Sequence, residues 1–108
     1  MNNLAERWHK FNILEQMGNI GSEIYRALQW QKRGDAKNSR LALDFALELF
    51  DLTLADSRWA KIKGRLKEIA RAREVVCDLF LGQNQYNETG EALMKYFDEF
   101  ALAARKDK

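Results

Sequence analysis

A chain of 108 residues, 46% hydrophobic and 31% charged, has the size and balance of one globular domain able to bury a core without staples. It has no proline and only six scattered glycines, which excludes the dense turn punctuation of an all-β fold, and its single cysteine, Cys77, excludes an internal disulfide or a cysteine-built zinc site. The net charge of +2 is too small to imply a polyanionic partner by itself. No apolar run approaches the roughly 20 residues of a membrane span. The opening MNNLAERWHK lacks the charged-then-apolar pattern of a secretion signal, so the expected setting is the cytosol.

In chain order, Leu4, Trp8 and Phe11 come first, at i, i+4 and i+7. They fall on nearly the opposite side of the helical projection from the apolar residues of the next segment. Residues 1–11 therefore read as an N-terminal arm. It either folds back over its own core or presents these three side chains to another subunit, and the second outcome is the expectation.

The first long helix should run from about Asn12 to Arg33, with Ile13, Leu14, Met17, Ile20, Gly21, Ile24 and Leu28 on one face. Gly21 in the middle of that face predicts a close approach by a neighbour, because a glycine costs about 1 kcal/mol relative to alanine in a helix interior. Gly34 is a helix stop, and Asp35 or Asn38 can cap the next helix. So short a connection makes the first two long helices antiparallel neighbours.

The second helix, centred on RLALDFALELFDLTLAD (Arg40 to Asp56), is the most apolar element. Leu41, Ala42, Phe45, Ala46, Leu49, Phe50, Leu52 and Thr53 spread over one broad arc, extended by Leu43, Leu47 and Leu54. Only Asp44, Glu48 and Asp51 form a polar strip. Such a helix needs cover on several sides, as the central element of a bundle has.

Asp56 or Ser57 can cap a third helix reaching to Gly82, with Trp59, Ile62, Leu66, Ile69, Val76, Cys77 and Phe80 as its core stripe. Arg73 falls inside that stripe. It reads as a buried ion pair with Glu48, Asp51 or Glu23, since an unpaired buried guanidinium is costly. QNQYNE is a polar loop, Asn87 or Thr89 can cap the last helix, and Leu93, Phe97, Phe100 and Ala104 form its apolar face ahead of a charged, fraying tail. The fold expectation is all-α: an up-down-up-down antiparallel four-helix bundle forming one domain over residues 1–108.

Charge is uneven along this plan: residues 1–34 carry +2, 35–56 carry −3, 57–82 carry +4 and 83–108 carry −1. Lys63, Lys67 and Arg71 fall along the side of the third helix away from its core. Arg58, Lys61 and Arg65 widen that basic area. Such a face could contact phosphates without reading bases, so RNA or DNA is the alternative partner. Glu68, Glu74 and Asp78 interrupt it, as they would a solvated helix face.

Catalytic chemistry finds little to stand on. His9 is the only histidine, and no Glu-x-x-His occurs. Cys77 sits in the apolar run VVCDLF with no histidine near it in sequence. GNIG lies within a helix without a preceding strand, so it is no phosphate loop. Asp44, Glu48 and Asp51 are spaced to share a helix face, and a solvent strip explains them more simply than a metal. No catalytic residue, metal or cofactor is expected.

The alanine- and leucine-rich LALDFALELFDLTLAD, the closing YFDEFALAAR and the four-helix plan resemble HEPN and ribosomal-protein-type four-helix bundles. The resemblance implies a small helical protein associated with RNA handling, either an RNA-cleaving enzyme or a non-catalytic partner. HEPN nucleases carry an arginine followed four to six residues later by histidine. Here His9 follows Arg7 by two, so the non-catalytic form is the one implied. The expectation is a non-enzymatic, self-associating interaction protein with a further protein partner.

Overall fold

Asn3 and Asn12, short polar side chains just ahead of apolar runs, each start a helix by accepting a backbone N–H with the side-chain oxygen. In the computed structural model, which describes residues 3–106, the helices are α1 (Leu4–Trp8), α2 (Ile13–Lys32), α3 (Ala36–Leu54), α4 (Ser57–Ala60), α5 (Arg65–Leu81) and α6 (Gly90–Lys106). No strand occurs among the described residues. Met1, Asn2, Asp107 and Lys108, the outer ends of the predicted arm and tail, lie outside them.

Asn12 and Glu15 form a reciprocal capping box at the head of α2, and past its C-cap, Arg33, the chain turns away at Gly34 with φ of +77°. Asp35 then caps α3 by accepting the Asn38 N–H at 2.9 Å. This hydrogen bond holds the Asp35 carboxyl below its usual pKa. The two helices are antiparallel: Ser39 donates to the Ala27 carbonyl near the turn, and Gln16 reaches Asp56 at the far end.

The third predicted helix is broken. Residues 61–64 form a turn between α4 and α5, and Gly64 takes φ of +81°, a left-handed conformation that side chains with a Cβ disfavour. Three successive i→i+3 bonds, from the amides of Trp59, Ile62 and Arg65, close this corner. Ile62 consequently leaves the expected core stripe and is exposed, whereas Trp59 before the break and Ile69 and Val76 after it are buried. Leu66, Cys77 and Phe80 are half-buried.

α2 lies between α3 and α6, α5 packs on α3, and α1 closes over α3. α6 runs antiparallel to α2, with Gly90 against Leu28, Gly21 against Phe97 and Gly18 against Ala101. A Cβ built on Gly21 would sit 2.6 Å from the Phe97 Cβ, so the close approach expected there exists. Phe97 also meets Phe50 edge-on, which joins α6 to α3 through the centre of the core.

α3 has neighbours on several sides, but its apolar arc is wider than they cover. Leu43, Ala46, Leu49, Phe50 and Thr53 are buried. Leu41 and Phe45, both on the predicted core arc, remain 59% and 38% exposed.

Candidate interaction surfaces

The N-terminal arm is fixed by a buried polar network. Trp8 is 4% exposed, and its indole N–H donates to Thr53 Oγ1 at 2.8 Å. Gln16, fully buried at the start of α2, donates to the Trp8 carbonyl at 3.1 Å and accepts the Trp59 indole N–H at 2.8 Å. Asp56 accepts from Gln16 at 3.4 Å and from the Arg58 guanidinium, which lies over the Trp59 ring and also donates to the Phe11 carbonyl at 2.8 Å. The Arg58 hydrogen bonds hold the Asp56 carboxyl down at a pKa of about 2, against the opposing effect of burial.

Of the three residues expected to meet another subunit, Trp8 is therefore turned into its own chain. Leu4 and Phe11 are half-buried against the core, with the Trp8 and Phe11 rings 5.8 Å apart. The arm is short and breaks over residues 9–12, so its stripe can swing onto the end of α3. Gln16 and its role are not evident from helical spacing alone. The available signal is a polar side chain one turn before Ile20 on the core face.

The basic residues are distributed differently from a row on one helix. Lys63 lies in the turn before α5, Lys67 is exposed on α5, and the Arg71 guanidinium is 4.6 Å above the Tyr86 ring. Tyr86 donates its hydroxyl to Glu74 at 2.6 Å, which raises the phenol pKa. Asp78 accepts the amides of Gln85 and Tyr86. Arg71 is thus part of the clamp that holds the 82–89 loop on α5. The Arg58–Phe11 bond meanwhile joins the turn carrying Lys10 to the segment carrying Lys61 and Lys63, all three exposed.

Arg73 pairs with Asp51, one of its three expected partners, with Nε to Oδ1 at 2.9 Å. The pair is not buried: the side chains are 33% and 62% exposed. α5 meets α3 at its rim there, and the long arginine stem reaches out to solvent. Arg73 also lies 3.8 Å from the Cys77 sulfur. In the acidic strip of α3, Asp44 is held by Arg40 and Asp51 by Arg73.

Two hollows flank the core. An open trough of about 1110 Å³ runs along α2 and α6, floored by Gly18, Gly21 and Ala101 and edged by Tyr25, Arg26 and Asp98. A smaller hollow of about 250 Å³ lies between α5 and α6, lined by Arg71, Ala72, Val75, Leu93 and Tyr96. Burial pushes the Tyr96 phenol up to a pKa of about 12.

The outer row of α3 is the third surface. Lys37, Leu41, Phe45 and Glu48 are all exposed and succeed one another at steps of four, four and three, which places them along one side of the helix. No helix of the described chain is long and apolar enough to cross a membrane. No protein-family model matches the chain, and no curated protein and no solved structure is detectably similar to it.

Proposed function

We propose that this protein is a non-enzymatic, cytosolic interaction module that binds protein through the outer row of α3. The observation that carries this reading is the pair Leu41 and Phe45, 59% and 38% exposed one turn apart on the helix whose apolar arc exceeds its cover. Two large neighbouring apolar side chains held on a rigid helix give an anchor at little cost in conformational entropy. In this reading the four long helices α2, α3, α5 and α6 form an up-down-up-down bundle as a single domain. The HEPN-like resemblance then concerns a non-catalytic member.

The test is a photo-crosslinking residue in place of Phe45, irradiated in cells. A protein adduct that disappears when Leu41→Glu is added supports the reading. Absence of any protein adduct overturns it.

A second reading takes nucleic acid as the partner, on the hydrogen bond from Arg58 to the Phe11 carbonyl, which ties the turn after exposed Lys10 to the segment that continues into exposed Lys61, Lys63 and Lys67. In this reading Arg71 contributes less than Lys63 and Lys67, because it is engaged on Tyr86. Reversing Lys63 and Lys67 to Glu should abolish a salt-sensitive retention of RNA. Retention unchanged at moderate salt would remove the reading.

A further inference from the structure

Resting on the protein-binding reading above, we infer that the occupant of the α3 face is a second copy of this chain, docked antiparallel about a two-fold axis near residue 43. Lys37 and Glu48 bracket the Leu41–Phe45 pair in one exposed row. Eleven residues of helix separate them by about 16 Å, which no ion pair within one chain can span. Neither side chain has a hydrogen bond or ion pair to another described residue, whereas Arg40–Asp44 and Arg73–Asp51 on the flanks are paired.

Reversing one α3 against another gives both charges their counterpart. With the axis near residue 43, Leu41 of one copy opposes Phe45 of the other, and Lys37 opposes Glu48, each twice. The contact is isologous: a four-residue apolar centre closed at both ends by opposite charges. A parallel arrangement would set Lys37 against Lys37 and Glu48 against Glu48. Charge and apolar order thus select the antiparallel second copy.

The deciding experiment is sedimentation of the full chain and two charge-reversed variants, alone and mixed. Lys37→Glu alone places Glu against Glu at both ends, and Glu48→Lys alone places Lys against Lys. Each should weaken self-association roughly tenfold or more. Mixed together, the two variants form opposite pairs at both ends and should associate as tightly as the unaltered chain.

A monomer at every accessible concentration, or single variants that associate like the unaltered chain, would overturn the inference, as would a mixture no tighter than its components. The mass of the Phe45 crosslink separates the two proposals. An adduct with a different protein and none at twice the chain mass removes the second copy but leaves the protein-binding reading intact.

Discussion

Thr53 accepts the Trp8 indole N–H at 2.8 Å while its own hydroxyl donates to the Leu49 carbonyl at 2.9 Å, so one buried side chain joins the first helix to the third across 45 residues of sequence. Thr53→Val keeps the volume but removes the acceptor, stranding a buried indole N–H. The expected cost is about 1–3 kcal/mol in urea unfolding. Trp8→Phe should cost a similar amount, and the double variant less than the sum, because no donor is then left without its acceptor. Strict additivity would show that the hydrogen bond contributes nothing.

That relationship also marks what the sequence makes legible. The helix caps at Asp35 and Thr89 and the stop at Gly34 are legible because each is decided within a few residues, whereas Gly21 announces a close approach but not that Phe97 of α6 makes it. The destination of Trp8 is not local: its stripe suits another subunit or its own α3, and only the position of Thr53 decides. The turn at residues 61–64 escapes a periodicity argument because Ile62 keeps helical spacing with Trp59 and Leu66 through a corner. Leu41 and Phe45 look like core by spacing, and their exposure depends on how many neighbours α3 finds.

The α2–α6 contact gives a prediction whose sign runs against helix propensity. Gly21→Ala gains up to about 1 kcal/mol in propensity but places a methyl 2.6 Å from the Phe97 Cβ, on a residue locked in the core. A net loss of about 1–2 kcal/mol is expected on thermal unfolding. Gly18→Ala meets Ala101 at 3.3 Å, a milder overlap, and should cost clearly less than the change at Gly21. Equal effects at the two sites would mean that α6 shifts freely away from α2.

The Arg73–Asp51 pair should matter little. Its side chains are 33% and 62% exposed, and ion pairs of that kind contribute about 0–1 kcal/mol. Arg73→Met is expected to change stability by less than about 1 kcal/mol and to leave its dependence on salt nearly unchanged. A loss of several kcal/mol would show that the guanidinium serves a buried role.

Asp56 sets the acid limit of the arm's attachment. Its carboxyl is held at a pKa of about 2 by Arg58, against about 3.9 for an unfolded aspartate. Well above the unfolded value, from pH about 5 upward, both states are ionised and the stabilisation is complete. Between about 5 and 2 the unfolded chain takes up a proton that the folded one refuses, and the stabilisation drains away. With Asp56 5% exposed but Arg58 43% exposed, the loss should be about 1–2 kcal/mol. Asp56→Asn, which keeps a helix cap, should start lower at neutral pH and converge with the unaltered chain near pH 2. Parallel pH profiles for the two proteins would mean that Arg58 does not hold this carboxylate in the folded state.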